Sequence, residues 1–181
     1  MHNSIRNRIM KYICLLIVLF SISLLGNSQS KSVLFIGNSY TGVNNLPLLI
    51  SQLAAYAGFS LTHSSQTPGG AQLINHISNS AVINAIYNNK WDYVVLQEQS
   101  QKPSFAPAYV AANVFPYAKR LCDTIRMSDS CSQPIFYMTW GRKFGDAGNC
   151  GTSPWLCTYE GMDSALAVSY NTMGKQNDAF V

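Results

Sequence analysis

Four short apolar runs alternate with longer segments of helical periodicity along this chain. The apolar runs cover residues 33–36, 59–62, 93–96 and 135–138, and the longer segments cover residues 46–57, 71–88, 108–126 and 159–181. Short runs rich in Val, Ile and Phe predict buried strands, whereas apolar positions at helical spacing predict amphipathic helices. Strands that alternate with helices of this size predict one α/β domain, in which a parallel sheet lies between two layers of helices.

The first predicted strand ends abruptly in a glycine, an amide and a hydroxyl. The run 33–36 is followed by Gly37, Asn38 and Ser39, and a predicted helix begins shortly afterwards. In open parallel sheets, ligands bind at the carboxyl ends of the strands. Ser39 is therefore the leading candidate for a nucleophile.

Two further loops are expected at the same edge of the sheet. Pro68-Gly69-Gly70 offers backbone N–H groups that a ligand can approach closely, because glycine has no side chain. Gln97, which follows the strand 93–96, offers an amide that can donate a hydrogen bond to a developing oxyanion. Together the three loops predict a nucleophile beside an oxyanion hole.

These segments resemble the sequence blocks of the SGNH/GDSL hydrolases, which are secreted or periplasmic esterases and deacetylases. Residues 37–40, Gly-Asn-Ser-Tyr, stand where that family has Gly-Asp-Ser-Leu. A Gly-Asn-Ser-[Phe/Tyr]-Thr form is familiar from an uncharacterised branch of the superfamily. Gly70 matches the glycine of the second block, and residues 91–100 match the third.

The resemblance implies a three-layer α/β/α sandwich with a parallel, flavodoxin-like sheet and an esterase or deacetylase activity, for which we expect acylated carbohydrate as the substrate. It implies that Ser39 is the nucleophile. The backbone N–H groups of Ser39 and Gly70 would form the oxyanion hole with Gln97, which replaces the family's usual Asn. No metal or organic cofactor is implied.

The family's last block, Asp-x-x-His, does not occur before Val181. We therefore expect a domain that is incomplete at its C-terminus, without its last strand, whose catalytic base lies outside this sequence. A serine without a base is a poor nucleophile, so a non-catalytic carbohydrate-binding pseudoenzyme is the alternative. His63 and His76 are interpreted as structural, with His76 a hydrogen-bonded helix residue that could also face the ligand.

Four residues are candidates for the pocket: Asn38, His76, Glu98 and Trp140. Glu98 could pair with Asp92 as glycosidase carboxylates do, but the two stand at opposite ends of one strand, roughly 15 Å apart. Residues 39–44 also fit the phosphate loop of flavodoxins, so a protein that binds FMN is a further alternative.

The N-terminus and the composition indicate an exported protein. Residues 1–28 carry a basic segment and then an apolar run, as a signal peptide does, which leaves residues 29–181 as the domain; an uncleaved anchor is the alternative. Three of the basic residues that contribute to the net charge of +4 lie in this leader, and only 11% of all residues are charged. There is consequently no electrostatic signature of nucleic-acid binding, and neutral polar ligands such as sugar esters fit better.

Four cysteines follow the leader: Cys122, Cys131, Cys150 and Cys157. An even number in an exported chain favours two disulfides, and short loops make Cys122–Cys131 with Cys150–Cys157 the simplest of three possible pairings. A metal site is the weaker interpretation, because no C-x-x-C spacing occurs.

Overall fold

A computed structural model describes residues 30–181, in which four parallel strands form one sheet. The strands are β1 (Ser30–Ile36), β2 (Ser60–Gln66), β3 (Tyr93–Leu96) and β4 (Gln133–Phe136), in the order β2-β1-β3-β4. Val33 on β1 pairs with His63 on β2 and Tyr93 on β3, and Tyr93 pairs with Gln133 on β4. The parallel α/β fold is thereby confirmed, and its carboxyl ends bring the loops after β1, β2, β3 and β4 to one edge. The signal peptide predicted for residues 1–28 lies outside the described residues.

Seven α-helices connect and follow these strands within residues 30–181. They are α1 (Ser39–Gly42), α2 (Leu46–Tyr56), α3 (Leu73–Ile77), α4 (Ser80–Tyr87), α5 (Pro107–Asn113), α6 (Phe115–Ser128) and α7 (Tyr159–Asn177). Two predicted helices are each divided in two. Asn79 begins α4 by accepting a hydrogen bond from the Ala81 N–H, and Pro116 stands in the first turn of α6, where the sequence predicted a kink.

The two faces of the sheet are covered unequally. The connection from β1 to β2 and the connection from β2 to β3 run in opposite directions along the sheet. Because such crossovers are right-handed, α2 lies on one face and α3 and α4 lie on the other. Leu34 and Ile36 point into the main core with α3, α4, α6 and α7. On the opposite face α2 packs against β2, and Pro47 is its one buried residue. The main core therefore lies on a single side of the sheet.

The last helix ends earlier than the sequence predicted. Helix α7 stops at Asn177, and Asp178 takes a left-handed conformation with φ of 46°. Phe180 then forms an isolated parallel bridge with Ile135 of β4, and the Phe136 N–H donates to the Phe180 carbonyl at 2.8 Å. The expectation of a helix through residue 181 is wrong, because the chain here pairs with the edge of β4. Within residues 30–181, no helix combines the length and apolarity needed to cross a membrane.

Candidate active site

Ser39 lies where the end of β1 turns into helix α1. Gly37 is needed at this turn, since a Cβ there would lie 2.6 Å from Thr41 Oγ1 and 2.7 Å from Gln97 Oε1. Asn38 begins the helix by accepting a hydrogen bond from the Tyr40 N–H at 3.0 Å. Ser39 itself is half-buried, and no residue of the described range hydrogen-bonds its hydroxyl. The serine is thus held on a fixed turn with its hydroxyl open to a ligand.

Hydrogen bonds join the three loops that the sequence predicts to meet at this edge of the sheet. The Asn38 N–H donates to Gln97 Oε1 at 3.0 Å, and Asn38 Nδ2 donates to the Ala71 carbonyl at 2.9 Å. The Leu73 N–H donates to Glu98 Oε2 at 3.3 Å, which joins the second loop to the third. The loops after β1, β2 and β3 therefore meet, as predicted from their positions at the ends of parallel strands.

Two backbone N–H groups in these loops are free to bind a ligand. Within residues 30–181, neither the Ser39 N–H nor the Gly70 N–H donates a hydrogen bond to another residue. Gly70 is exposed and has φ of +69°, a conformation that side chains disfavour. Such unsatisfied donors suit a developing oxyanion.

Gln97 does not point at a ligand, contrary to the expectation that its amide donates to the oxyanion. Its side chain is completely buried. Oε1 accepts from the Asn38 N–H and lies 2.9 Å from Thr41 Oγ1, and Nε2 donates to the Glu98 carbonyl. The amide is used entirely inside the protein, because it follows the strand directly and points inward. Gln97 is therefore a positioning residue for the turn that carries Ser39.

The carboxyl group of Glu98 is buried below the site, where only 1% of the residue is exposed. It accepts hydrogen bonds from the backbone N–H groups of Leu73 and Gln99. Burial raises its pKa from 4.5 to about 7, although those two hydrogen bonds and the charge of Lys102 oppose the change. Glu98 thus fixes the loop of Gly70 from within.

His76 is completely buried on α3, and within residues 30–181 neither ring nitrogen makes a hydrogen bond. Burial lowers its pKa, although the backbone carbonyl of Gly37 beside the ring opposes the change. His76 is therefore a buried structural residue of α3 that lies next to the turn carrying Ser39. Asn38, Glu98 and His76 do not line the cavity that contains Ser39. Three of the four predicted pocket residues instead lie beneath it, because their loops turn inward to meet one another.

Trp140 does lie beside Ser39. A cavity of about 290 Å³ is lined by Ser39, Tyr40, Val43, Asn44 and Trp140. The rings of Tyr40 and Trp140 pack with their centroids 5.3 Å apart and a tilt of 40°. Tyr40 was not singled out from the sequence, although its place directly after Ser39 on a helical turn is the signal that could have identified it.

The loop after Trp140 contains one disulfide, and the second predicted disulfide is absent. Cys150 and Cys157 are joined, whereas Cys122 and Cys131 are free thiols. The predicted Cys122–Cys131 pairing is wrong because Cys122 lies on the buried face of α6, while Cys131 lies exposed in the turn before β4. Burial raises the pKa of the Cys122 thiol to about 12, which makes it unreactive.

Asp146 holds this loop in place, and the sequence alone gave no sign of that role. Its buried carboxylate accepts hydrogen bonds from Gln101 Nε2 and Asn149 Nδ2, both at 2.7 Å, and from Arg142 at 3.1 Å. Burial by itself would raise the pKa of Asp146, but these donors outweigh it and lower the pKa. The loop is thus fastened at one end by Asp146 and at the other by the disulfide.

The FMN alternative finds no support in this geometry. In a flavodoxin-type loop the hydroxyl of Thr41 would bind phosphate, but here it is buried and bonded to Gln97. Residues 30–181 also contain no group of three or more His, Cys, Asp or Glu side chains suited to hold a metal ion.

Comparison with solved structures reveals the same architecture in several proteins. A DUF4886 family protein from Bacteroides uniformis is 16% identical with a TM-score of 0.64; the match covers 83% of this chain and 65% of that one. The acetyl xylan esterase AlAXEase is 12% identical, with a TM-score of 0.56 over 82% of this chain and 75% of that one. A protein from Parabacteroides merdae described as a GDSL-like lipase is 10% identical, with a TM-score of 0.55 and coverage of 82% and 75%.

The chain has the fold of the SGNH/GDSL hydrolases. Its match spans less than two thirds of the length of the Bacteroides uniformis protein. No protein-family model and no curated protein matches the sequence. In this fold, the loops after β1, β2 and β3 are joined by hydrogen bonds at Asn38, next to Ser39, and the segment after β4 places Trp140 in the Ser39 cavity.

Proposed function

We propose that this protein is an exported serine ester hydrolase that acts on acyl esters of carbohydrates. One observation carries the proposal: Ser39 lines a cavity at the end of β1, and within residues 30–181 neither its own N–H nor that of Gly70, in the loop after β2, donates a hydrogen bond. A hydroxyl with donors of this kind suits acyl transfer, because negative charge develops on the carbonyl oxygen as the hydroxyl attacks.

In the proposed reaction, Ser39 Oγ forms a bond with the ester carbonyl carbon and gives up its proton to a base. The N–H groups of Ser39 and Gly70 stabilise the tetrahedral oxyanion. The bond to the alcohol oxygen then breaks, and the alcohol leaves with a proton. Water attacks the acyl-Ser39 ester in the same way, which releases the carboxylic acid and restores the hydroxyl.

Neither histidine within residues 30–181 is placed to accept this proton. His76 is buried beneath the site, and His63 lies on the edge strand β2. The base in the proposed reaction is therefore a group other than His63 or His76.

Several features support export and a carbohydrate substrate. The Cys150–Cys157 disulfide is typical of oxidising compartments, which agrees with the signal peptide predicted for residues 1–28. The exposed ring of Trp140 beside Ser39 provides an apolar surface of the kind that sugar rings pack against. AlAXEase, which has the same fold, is an acetyl xylan esterase.

Hydrolysis of p-nitrophenyl acetate with and without added imidazole tests the proposed function. Imidazole can replace a missing base, so we expect it to accelerate the reaction of the protein far above the rate in imidazole alone. Ser39→Ala should reduce the protein-dependent rate at least about 100-fold, because the nucleophile is lost. Mass spectrometry after incubation with a phosphonate ester should locate the adduct on Ser39.

A matched glycine pair tests the oxyanion hole. Gly70 and Gly58 both have positive φ, and a Cβ at either position would meet no atom within 4 Å. Gly70→Ala should slow hydrolysis by about tenfold or more by moving a donor, while Gly58→Ala should affect stability alone. If imidazole gives no Ser39-dependent rate and no adduct forms, the non-catalytic pseudoenzyme becomes the better interpretation. That alternative is favoured by the absence of a base bonded to Ser39 within residues 30–181.

A further inference from the structure

A second, larger cavity lies on the other side of the Tyr40–Trp140 pair from Ser39. Its volume is about 600 Å³, within the range of cavities that hold small molecules. Tyr40 and Trp140 line both cavities, so the two adjoin. The larger cavity is further lined by Arg142, Lys143, Tyr159 and Glu160.

Two aromatic rings present open surfaces to this cavity. Trp140 is 49% exposed and Tyr159 is 42% exposed, although aromatic side chains of this size are usually well covered. The C–H groups on one face of a sugar ring pack against an aromatic plane, while its hydroxyl groups need polar partners around the edge. Arg142, Lys143 and Glu160 supply those partners.

The surface is held rigidly, so little conformational entropy is lost when a ligand binds. The Gly141 N–H donates to Asp163 Oδ1 at 2.9 Å, which fastens the segment after Trp140 to α7. A Cβ at Gly141 would lie 2.5 Å from the Tyr159 carbonyl, so the two segments are in close contact. Asp146 and the Cys150–Cys157 disulfide fix the loop beyond.

The charges around the cavity carry no excess of cations, because Asp146, Glu160 and Asp163 accompany Arg142 and Lys143, and this disfavours an anionic ligand. Arg142 is paired with Asp146 at 3.1 Å. The remaining cation, Lys143, faces the same cavity as the carboxylate of Glu160. An anionic sugar such as a uronic acid would gain from Lys143 but would be repelled by Glu160, whereas a neutral sugar can hydrogen-bond to both.

We propose that Trp140, Tyr40 and Tyr159 form a subsite that binds a neutral sugar ring in the alcohol part of the ester. This inference rests on the proposed function for its meaning but is tested by binding alone. The acyl group then occupies the smaller cavity at Ser39, and the sugar extends past Trp140 toward α7.

Calorimetric titration of Ser39→Ala with xylotriose, cellotriose and mannotriose tests the subsite without hydrolysis. We expect at least one neutral trisaccharide to bind. Trp140→Ala, added to Ser39→Ala, should weaken that binding by about tenfold, the usual consequence of removing a central aromatic contact. Trp140→Phe keeps an aromatic plane and should retain most of the affinity, and it covers the case in which Trp140→Ala disturbs folding.

Tyr56→Ala is the matched control, because Tyr56 is 94% exposed at the far end of α2 and lines neither cavity. It should leave binding unchanged. The inference is overturned if no neutral trisaccharide binds, if Trp140→Ala binds as tightly as its parent, or if a galacturonic acid trimer binds more tightly than the neutral sugars. Ser39-dependent hydrolysis of p-nitrophenyl acetate without sugar binding would contradict only the proposed sugar subsite. Sugar binding without hydrolysis would contradict only the proposed esterase activity.

Discussion

The turn that carries Ser39 and the loop that carries Trp140 lie at the same edge of the sheet but are built in different ways. Beneath Ser39, the polar groups of Asn38, Gln97 and Glu98 are buried and bonded to one another's loops. Around Trp140 the rings are open to solvent, and a disulfide and one buried carboxylate hold the loop from behind. The turn that carries Ser39 is therefore fixed by an interior network, whereas Trp140 belongs to a small exposed patch.

If the interior network fixes Ser39, breaking it at Gln97 should have the largest effect on stability. Gln97→Leu keeps the volume but leaves the Asn38 N–H and the Glu98 carbonyl without their partner. Each buried polar group left unsatisfied costs about 1–3 kcal/mol, so we expect the free energy of unfolding to fall by about 3 kcal/mol in urea denaturation.

Gln52→Leu is the control for this change, since Gln52 is exposed on α2. Its unfolding free energy should stay within about 0.5 kcal/mol of the wild-type value. Equal stability of Gln97→Leu and wild type would mean that the network contributes nothing to the fold.

The buried carboxyl of Glu98 should make stability depend on pH. Its pKa is 4.5 in the unfolded chain and about 7 when buried, so the folded protein holds this proton more tightly. The stability from this group is complete below pH 4.5 and is lost as the pH rises through 7. Each pKa unit corresponds to about 1.4 kcal/mol, which gives a decrease of about 3 kcal/mol between pH 4.5 and 8.

Glu98→Gln should remove this decrease. The difference in unfolding free energy between the wild type and Glu98→Gln, measured at each pH, therefore reports the contribution of Glu98 alone. The lowered pKa of His76 acts with the opposite sign in a similar pH range but is common to both proteins, so it cancels. Denaturation at several pH values provides the measurement, with Glu160→Gln at an exposed position as the control. If the unfolding free energies of the wild type and Glu98→Gln change with pH in the same way, the raised pKa of the buried Glu98 carboxyl is contradicted.

The smallest effect on stability is expected in the disulfide-bonded loop that follows Trp140. Replacing Cys150 and Cys157 by serine releases a loop of sequence separation 7, and the entropy of closing such a loop corresponds to about 2 kcal/mol. The same change should weaken trisaccharide binding at Trp140 while leaving imidazole-assisted hydrolysis of p-nitrophenyl acetate nearly unchanged.

Cys131→Ser is the matched control, because Cys131 is an exposed free thiol. It should alter neither stability nor binding. Loss of hydrolysis together with sugar binding in the Cys150/Cys157 double variant would show that the two regions are not separable.

Sequence patterns by themselves determined the layers, the strand that precedes Ser39 and the loops that meet at its end. Strand periodicity and chain order are local properties, and in a parallel sheet they place each carboxyl end at the same edge. Residues 93–96 were predicted as a strand with the same bounds that the structure has. The Cys150–Cys157 disulfide followed from the short spacing between the two residues.

Only the tertiary structure decided what each side chain near Ser39 does. Gln97 and Glu98 turned inward, because loops that meet must satisfy their buried backbone groups before they can serve a ligand. Cys122 lies on the buried face of α6, and the spacing of the cysteines along the chain cannot reveal this. The contact of Tyr40 with Trp140 joins residues 100 positions apart, and such a distant contact depends on the packing of the whole sheet edge.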